Sequence, residues 1–337
     1  MVTIKDVARE SGVAISTVSN VLNNVGNVSS ETTKRVLETV ERLKYVPNVN
    51  AKYLKTNKKN TIGLFVSSVQ GDFYRQLVQA VHLQCKINGY ILNIYISNEN
   101  TSEEIYSMVL SSGVEGAIIM NDGLSDNYID RLERLNMPIV FIDREYESEK
   151  ISSVIIDNKN GVAQAVEHLI KLGHRRIGYF HGVDNFDEKA RFAAFCETME
   201  KNGLAVEEKF MLNGYFEEAV AYSEMYKLLM RGGELPDAFF CANDEMAQGC
   251  IRAMTAMGVQ VPEQVSVVGF DDSILAPYYN PALTTVRSPV VELGSKSATE
   301  IIRLVRQEGD SGTCQKLKPV LVMRDSCKLA AGKNITG

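Results

Sequence analysis

Small apolar residues recur at helical spacing near the start of the chain. They are Val7, Ala8, Val13, Val18 and Leu22. The spacing predicts two short amphipathic helices that pack at a steep angle, with a turn at Ser11-Gly12-Val13 between them. The second helix should leave Ile15, Ser16, Ser19 and Asn20 facing outward. This arrangement is a helix-turn-helix whose second helix can enter a DNA major groove.

A third helix is predicted to complete this small domain. Ser29 or Ser30 can cap it, and it should run to about Leu43. Its apolar face is formed by Val36, Leu37, Val40 and Leu43. Thr3 can cap the first helix, with Asp6 three residues later as the partner of a capping box.

From Thr61 onward, short apolar runs alternate with amphipathic helical segments. The predicted strands are Ile62–Val66, Tyr90–Ile96, Gly116–Met120, Ile139–Ile142, Val154–Ile156, Ile177–Phe180, Ala238–Cys241 and Val265–Phe270. The predicted helices are Phe73–Asn88, Ser102–Ser112, Asn127–Leu135, Gly161–Leu172, Glu188–Asn202, Ala219–Arg231, Asp244–Met257 and Val290–Gln307. Strands that are apolar throughout indicate buried parallel sheets with helices on both faces. So many units favour two doubly wound sheets, with ligand sites at the carboxyl ends of their strands.

Between these regions, residues 45–60 form a polar linker. Pro47 should end the preceding helix, and Asn48 to Leu54 can form two turns of helix. Such a short helix is marginal on its own in water.

The charge distribution sets the N-terminal region apart. Residues 1–60 contain ten Lys and Arg against five Asp and Glu, so they carry +5, whereas the whole chain carries −6. The rest of the chain therefore carries −11. An acidic protein with one basic end is suited to binding a polyanion at that end.

Several classes of protein are not indicated. No stretch approaches about eighteen uninterrupted apolar residues, and the polar start does not resemble a signal peptide. The six cysteines have no C-x-x-C pairing, which predicts reduced, mostly buried thiols in a cytoplasmic protein. The four histidines show no ligand spacing, so we expect neither a metal nor a cofactor. The sequence shows neither a nucleophile–base pair nor a phosphate-binding Gly-rich loop, so we do not expect an enzyme.

The opening of the chain resembles the lac repressor family of bacterial transcription regulators. The family pattern stands here as Asp6-Val7-Ala8, Gly12-Val13-Ala14-Ile15-Ser16-Thr17-Val18-Ser19 and Asn23. The resemblance continues to about Ser326, through Glu167-His168-Leu169, Leu172-Gly173-His174-Arg175-Arg176-Ile177, Ala242-Asn243-Asp244, Val265 to Asp272 and Pro281 to Val286.

The resemblance implies an all-α helix-turn-helix headpiece and an α/β core of the periplasmic-binding-protein type I fold, with two doubly wound parallel-sheet subdomains. The expected divisions are a headpiece at 1–46, a hinge helix and linker at 47–60, a core at 61–328 and a disordered tail at 329–337. The N-subdomain should take about 61–157 and 289–317, and the C-subdomain about 160–286 and 320–328. Crossovers between them are expected near 157–160, 286–289 and 317–320.

The resemblance also implies which residues contact DNA. The candidates are Thr3, Ile15, Ser16, Thr17, Ser19, Asn20, Asn23, Ser29, Asn48, Ala51, Leu54 and Lys55. Paired hinge helices in the family push a leucine into the minor groove, and Leu54 occupies that position. The alternative is a flexible linker whose Leu54 docks on the next domain. Asn20 stands where the family often has Arg, so the operator sequence should differ from the usual one.

The effector is expected in the cleft between the core subdomains. The candidate residues are Phe73, Tyr74, Asp143, Arg191, Phe216, Asn243 and Asp271. Each polar residue among them is ambiguous on its own, since an Asp at a strand end, for example, could instead cap a helix. Two carboxylates and a guanidinium suit the hydroxyl groups of a sugar, and a purine corepressor remains the alternative. A phosphoprotein partner is less favoured, because Thr299 stands where that branch of the family has arginine.

These expectations describe a cytoplasmic homodimeric regulator, most simply a repressor, that binds a palindromic operator with half-sites about one helical turn apart. The dimer is favoured because the leucine-heptad tail of the tetrameric lac repressor is missing. A solute-binding transport protein and a sugar-metabolising enzyme with a fused headpiece are the alternatives from other classes. A transport protein would require an export signal, and an enzyme would show turnover of its ligand.

Overall fold

A computed structural model describes residues 2–23, 25–45, 60–97, 101–309 and 311–330. The chain divides into two compact units, residues 1–59 and residues 60–337.

Three short helices form the N-terminal unit. They are α1 (Ile4–Ser11), α2 (Ile15–Asn23) and α3 (Ser30–Arg42). Val7, Val18 and Val36, one from each helix, are completely buried in their shared core. Gly12 ends α1 in the left-handed conformation with φ 66°, which turns the chain into α2. The predicted helix-turn-helix with a third helix is confirmed.

The apolar face of α3 differs from the prediction at one residue. Leu37 is 48 % exposed, whereas Thr39 is buried between Val36 and Val40. Leu37 is rotated about 100° around the helix axis from Val36 and therefore leaves the packed face. Thr39 is tolerated inside because its hydroxyl donates to the Arg35 carbonyl at 2.8 Å.

The second unit contains two six-stranded sheets. The strands are β1 (Thr61–Val66), β2 (Ile91–Ile96), β3 (Gly116–Met120), β4 (Ile139–Phe141), β5 (Ile151–Ile156), β6 (Ile177–His181), β7 (Met211–Asn213), β8 (Ala238–Cys241), β9 (Ser266–Asp271), β10 (Thr284–Arg287), β11 (Cys314–Leu317) and β12 (Val320–Val322). The first sheet has the order β11-β5-β4-β3-β1-β2, and the second has the order β12-β10-β9-β8-β6-β7. The predicted pair of doubly wound sheets is confirmed.

The described core also contains eight α-helices and two single-turn 3₁₀ helices. They are α4 (Gly71–Ile87), α5 (Ser102–Ser112), α6 (Asp126–Arg134), α7 (Asn158–Lys171), α8 (Phe186–Lys201), α9 (Glu218–Met230), α10 (Asp244–Ala256) and α11 (Val290–Val305), with a single-turn 3₁₀ helix at Ala276–Tyr278. A second such turn spans Glu208–Phe210. Close helix packing depends on glycine at Gly249, where a Cβ atom would lie 2.2 Å from the Glu218 carbonyl oxygen.

Four strands were not predicted from the sequence: β7, β10, β11 and β12. Each has only three or four residues, and only β12 is apolar at every position. β12 also pairs antiparallel to β10, so that sheet is not entirely parallel. The expectation that strands are buried throughout is wrong for β2, which forms an edge and is largely exposed.

The chain passes between the sheets three times. The first passage lies at Asp157, between β5 and α7, and the second lies at residues 288–289, between β10 and α11. The third lies at residues 318–319, between β11 and β12. We call these segments the first, second and third crossovers. The two parts that they join, one around each sheet, are the N-subdomain and the C-subdomain.

The packed part of the core extends past position 328, where the sequence analysis ended it. The backbone N–H of Ala330 donates to the Leu172 carbonyl at 2.8 Å. The assignment of residues 329 and 330 to a disordered tail is therefore wrong, and residues 331–337 lie outside the described part.

The cysteines are less buried than predicted. All six are free thiols, but only Cys85, Cys241 and Cys250 are buried. The other three, Cys196, Cys314 and Cys327, are half-buried.

Candidate ligand cleft and nucleic-acid interface

The sheet topology points to the carboxyl ends of particular strands. In the first sheet the strand order reverses between β1 and β3, and in the second sheet it reverses between β6 and β8. Doubly wound sheets bind ligands at such points. Asp122 lies just beyond β3, and Asn243 lies just beyond β8. The polar residues that follow these strands are the natural starting point for a site.

Arg191 is held rigidly in the second turn of α8. It is only 4 % exposed, and its Nε donates to Asn158 Oδ1 at 2.9 Å. Its Nη1 donates to the Ala242 carbonyl, and its guanidinium carbon lies 3.9 Å from the centre of the Phe270 ring. A buried guanidinium with three fixed contacts is a preorganised donor.

Asp271 lies opposite this guanidinium at the end of β9. Its Oδ1 is 3.8 Å from Arg191 Nη2 and accepts a hydrogen bond from Ser288 Oγ at 3.1 Å. The backbone φ of 112° is rare for a residue with a side chain and indicates local strain. Burial raises the pKa of Asp271 to about 6, although the Arg191 charge opposes the shift.

Asn243 and Phe216 lie together at the same edge. Asn243 Oδ1 accepts from the Met246 N–H at 2.8 Å, and Nδ2 donates to the Phe216 carbonyl at 3.1 Å. Asn243 therefore caps α10, which is the alternative that the sequence left open. The Phe216 ring packs closely on Gly182, because a Cβ atom added to Gly182 would lie 2.1 Å from the ring. Phe216 has φ 63°, so this loop is also strained.

The aromatic candidates of the N-subdomain lie in the first turn of α4. Phe73 and Tyr74 meet edge to face, with ring centres 5.6 Å apart. The Tyr74 hydroxyl is 3.3 Å from Ser67 Oγ, at the end of β1. Burial raises the pKa of Tyr74, with smaller effects from the charges of Asp187, Asp122 and Asp143. The Tyr74 hydroxyl therefore lies within the electrostatic influence of carboxylates from both subdomains.

Asp143 is paired with its neighbour in the sequence. Arg144 Nε lies 3.2 Å from Asp143 Oδ1, and both side chains are at most 6 % exposed. Burial raises the pKa of Asp143 to about 6, and the Arg144 charge opposes this shift. The Arg144 guanidinium also lies 4.3 Å from the centre of the Phe186 ring, which belongs to the C-subdomain.

Sequence reasoning missed four residues at this cleft: Asp122, Arg144, Asn158 and Asp187. Burial raises the pKa of Asp187 and that of Asp122. Arg144 directly follows the predicted Asp143, and Asn158 follows β5, so strand-end position was a usable signal for both. Asp187 lies inside a helix, where only its distance of one turn from Arg191 marked it.

A cavity of about 470 Å³ reaches Asp271 from the side of the second crossover. Gln76 of α4, Ser288 and Glu292 are among its other lining residues. The volume lies within the range of small-molecule pockets, about 300–1,000 Å³. Asp271 is therefore accessible to a small polar molecule.

In the N-terminal unit, α2 presents the predicted DNA-contact face. Ile15 is 43 % exposed, and Ser16 and Asn20 are exposed, whereas Thr17 and Ser19 are half-buried. This face therefore offers one apolar and two polar side chains that a DNA groove could receive.

Two further candidates are exposed but engaged in helix caps. Thr3 donates from its backbone N–H and its hydroxyl to Asp6 Oδ2, at 2.9 and 2.7 Å. Ser29 Oγ accepts from the Thr32 N–H at 3.3 Å. The predicted caps of α1 and α3 are confirmed. Asn48, Ala51, Leu54 and Lys55 lie outside the described residues, as does the side chain of Asn23.

Across the described ranges, no group of three His, Cys, Asp or Glu side chains could hold a metal ion. No helix in those ranges is long and apolar enough to cross a membrane.

Both units match known protein families. The profile of bacterial regulatory proteins, lacI family, matches residues 3–48, and that of the periplasmic binding protein-like domain matches residues 166–327. The HTH-type transcriptional repressor PurR of Pasteurella multocida is 31 % identical over 333 residues, covering 97 % of this chain and 99 % of that protein. The chain belongs to the lacI family of bacterial regulatory proteins. It is a helix-turn-helix, DNA-binding transcriptional regulator.

Solved structures agree with this assignment. The lac repressor dimer bound to operator and the anti-inducer ONPF matches with a TM-score of 0.82 at 28 % identity, covering 97 % of this regulator and 99 % of that chain. The complex of the transcriptional regulator CelR with cellobiose matches with a TM-score of 0.71 at 28 % identity, covering 97 % and 100 %. The predicted membership and fold class of the regulator are confirmed.

Proposed function

We propose that this regulator is a homodimeric repressor whose affinity for a palindromic operator is changed by a small polyhydroxylated effector, a sugar. The effector lies between the two subdomains of the core and contacts Arg191 and Asp271. The observation that carries the proposal is this pair: a buried, fixed guanidinium lies 3.8 Å from a carboxylate that still accepts hydrogen bonds.

The chemistry of the pair suits a hydroxyl group. A sugar hydroxyl can accept from Arg191 and donate to Asp271 at the same time, and Phe73, Tyr74 and Phe216 supply aromatic faces. Asp143 and Asn243 complete the proposed contacts. The complex of CelR with cellobiose is a related example of sugar binding in this fold.

A purine corepressor is the second candidate. It is favoured by one specific observation, the 31 % identity to a repressor named PurR over almost the whole chain. Aromatic rings and an Asp–Arg pair can also hold a planar base. We favour a sugar because Asp122, Asp143, Asp187 and Asp271 together supply many acceptors for hydroxyl donors.

An exposed apolar edge supports the proposed dimer. Leu83 and Ile87 of α4 are 54 % and 68 % exposed, and Ile91, Ile94 and Ile96 of the edge strand β2 are 41–55 % exposed. Apolar patches and unpaired strand edges of this kind are normally covered by a partner. The lac repressor with operator is a dimer in its structure. We propose that this edge contributes to the contact between two copies.

The proposed DNA contacts are those of the predicted set. In this proposal the residues that face base edges are Ile15, Ser16 and Asn20. The residues that contact the DNA backbone or position α2 are Thr3, Thr17, Ser19, Asn23 and Ser29. Asn48, Ala51, Leu54 and Lys55 act in a hinge helix that forms on the operator. We place the protein in the cytoplasm with its DNA, and we assign it regulation rather than catalysis because its relatives are named as repressors.

The first experiment is a thermal-stabilisation screen of the full chain. The panel contains D-ribose, D-glucose, cellobiose, glucose 6-phosphate, guanine and hypoxanthine. A ligand that binds only the native state raises the melting temperature by mass action. A sugar hit supports the proposal, whereas a purine hit with no sugar hit favours the corepressor. No hit at all contradicts both effector classes.

The Asp271→Ala variant locates the effector site. We expect it to abolish stabilisation by the hit ligand while operator affinity without ligand stays within about twofold, because Asp271 belongs to the other unit of the chain. Asp325→Ala is the control, since its carboxylate is not among the cleft residues. A wild-type ligand response in Asp271→Ala removes Asp271 from the site.

The Ile15→Ala variant tests base recognition by α2. Loss of one apolar contact with a thymine methyl should change the preferred base at one position per half-site in a binding-site selection. Leu37→Ala is a matched control, because Leu37 is a similarly exposed apolar residue on α3. An identical selection profile for wild type and Ile15→Ala shows that Ile15 does not contact bases.

A further inference from the structure

Asn158 lies where the first crossover enters the C-subdomain. It is the first residue of α7, directly after Asp157, and is only 6 % exposed. Its side-chain amide has two partners on α8. Nδ2 donates to Asp187 Oδ1 at 2.6 Å, and Oδ1 accepts from Arg191 Nε at 2.9 Å. One buried amide therefore fixes Asp187 and Arg191 of α8 to the crossover.

Ser288 occupies the corresponding place in the second crossover. It is 6 % exposed, and its hydroxyl donates to Asp271 Oδ1 at 3.1 Å. Its backbone N–H also donates to the Asp271 carbonyl at 3.3 Å. Asp271 is thus attached through both its side chain and its backbone to a segment that leads into the N-subdomain.

Together these contacts form a continuous path from one crossover to the other. Its members, Asn158, Arg191, Asp271 and Ser288, are called the crossover network. The ion pair between Arg191 and Asp271 is its longest link, at 3.8 Å, and the other links are hydrogen bonds of 2.9–3.3 Å. The network places the proposed effector contacts between two segments whose torsion sets the angle between the subdomains.

We propose that Asn158 and Ser288 are positioning residues that couple the Arg191–Asp271 pair to the first and second crossovers. This inference rests on the proposed function, in which the effector contacts that pair. Neither residue needs to touch the ligand. Asn158 fixes Arg191 to the first crossover and Ser288 fixes Asp271 to the second, so a change in the distance between Arg191 and Asp271 displaces the second crossover relative to the first.

The length of the central link explains why a ligand would act there. An atom pair 3.8 Å apart is beyond hydrogen-bond distance, but a single hydroxyl oxygen can lie about 2.8 Å from both atoms. Arg191 cannot follow such a ligand freely, because the Ala242 carbonyl and the Phe270 ring hold it. The adjustment therefore falls on Asp271 and on the second crossover, which borders the cavity of about 470 Å³.

The third crossover is held by different contacts. Gln164 Nε2 donates to the Pro319 carbonyl at 3.0 Å, and Gln164 Oε1 accepts from the Leu321 N–H at 3.1 Å. None of the described contacts of Gln164 joins the crossover network. The inference is consequently limited to the first two crossovers.

Hydrogen–deuterium exchange of the full chain without ligand tests the network directly. Asn158→Ala should raise the exchange of the backbone amides at 286–291 about fivefold, the effect of losing roughly one hydrogen bond. Ser288→Ala should raise exchange at 157–161 by a similar factor. Both variants break the same path, so their effects should not be independent. The factor by which the double variant raises the exchange rate should be much smaller than the product of the factors of the two single variants.

Asn202→Ala is the matched control for this experiment. Asn202 ends α8 and donates from Nδ2 to the Thr198 carbonyl at 2.8 Å, far along the helix from Arg191. It should leave exchange at both crossovers unchanged. If Asn158→Ala changes exchange only around residue 158, the network does not couple the crossovers and the inference is wrong. Should Asn158→Ala fail to fold, the reciprocal measurement on Ser288→Ala decides the same question.

A second measurement separates coupling from simple stability. For the panel member that stabilises the protein, operator dissociation constants are measured with and without that ligand. Asn158→Ala and Ser288→Ala should reduce the ratio of the two constants about fivefold, whereas Asn202→Ala retains it. An unchanged ratio in both variants overturns the proposed coupling. If no panel member binds, the proposed effector class fails, and the exchange experiment still decides the inference.

Discussion

At the scale of single residues, the least expected group is the carboxyl of Asp244. It lies at the first position of α10, only 1 % exposed, and accepts from Thr285 Oγ1 and from the Ser273 N–H. Burial, reinforced by the charge of Asp271, raises the pKa of Asp244 from its ordinary value of 3.8 to about 8. At neutral pH this carboxyl is therefore protonated in a large fraction of the folded molecules.

This shift predicts how stability depends on pH. Between pH 3.8 and about 8 the folded chain binds more protons at Asp244 than the unfolded chain does. The resulting stabilisation is complete below pH 3.8 and is lost as the pH rises through about 8. We expect the urea-unfolding free energy of the wild type to fall between pH 6.5 and 8.5, and that of Asp244→Asn to fall much less.

Glu263→Gln is a suitable control for this measurement, because Glu263 is an exposed carboxylate of the same subdomain. It should keep the wild-type dependence on pH. Asp143 and Asp271, with pKa values raised to about 6, complete most of their titration below this window. If the unfolding free energy of Asp244→Asn depends on pH as steeply as that of the wild type, Asp244 does not titrate between pH 6.5 and 8.5.

Strand-end position predicted some of the cleft residues but not their partners. Asp143, Asn243 and Asp271 were recognised because a polar residue that follows a buried run must lie at the carboxyl edge of a sheet. Asn158 also follows a buried strand, but its partners could not be predicted because they depend on the packing of α7 against α8. Such packing brings residues about thirty positions apart together, and the spacing of apolar residues contains no information about it.

At the scale of elements, the start of α3 shows how one side chain can serve two purposes. Ser29 is the N-cap, with extended φ and ψ of −60° and 149°, and its hydroxyl accepts from the Thr32 N–H. It is also an exposed candidate for contact with the DNA backbone. Stability and DNA binding can be separated, because glycine replaces a capping residue with little loss whereas alanine does not.

We therefore compare Ser29→Ala with Ser29→Gly. Ser29→Ala should destabilise α3 by about 1 kcal/mol, and Ser29→Gly by a few tenths of that. Both should lose the proposed phosphate contact and weaken operator binding. Hydrogen exchange of the first turn of α3 and operator titration measure the two effects. If Ser29→Gly binds operator as tightly as the wild type, Ser29 acts only as a cap.

Element boundaries followed local sequence signals closely where such signals were strong. α5 and β3 begin and end where the sequence predicted, because a Thr101 cap, a Gly113 in the left-handed conformation and a β-branched run define them. β10, β11 and β12 were missed because each is a strand of only three or four residues, at the edge of a sheet or next to it, and is held mainly by pairing with its neighbour. Tertiary pairing determined those three strands.

At the scale of the core, three contacts between described residues join the subdomains across the cleft. Asp72 Oδ2 accepts from the Ile274 N–H at 3.1 Å, and Asp122 Oδ1 accepts from the Phe186 N–H at 3.4 Å. The third is the Arg144 guanidinium over the Phe186 ring. These contacts exist only while the subdomains are in this relative position, so they favour the arrangement in which a ligand could contact both.

The Asp72 contact offers the sharpest test of this view. Burial acts to raise the pKa of Asp72, but hydrogen bonds from Arg75, Ile274 and Gln76 outweigh it and lower the pKa, so Asp72 is charged at neutral pH. Asp72→Ala removes a charged acceptor from across the cleft. We expect it to weaken binding of the stabilising panel ligand about tenfold, the usual effect of losing one hydrogen bond to a charged group.

Arg75→Ala supplies the matched control for Asp72→Ala. Arg75 Nε donates to Asp72 Oδ1 at 2.9 Å, on the oxygen that does not face Ile274. Its removal disturbs the first turn of α4 but leaves the hydrogen bond across the cleft intact. Arg75→Ala should therefore retain ligand affinity within about twofold, in the range of an exposed ion pair. Equal losses in the two variants would place the effect in the turn of α4, and the contact across the cleft would then have no part in ligand binding.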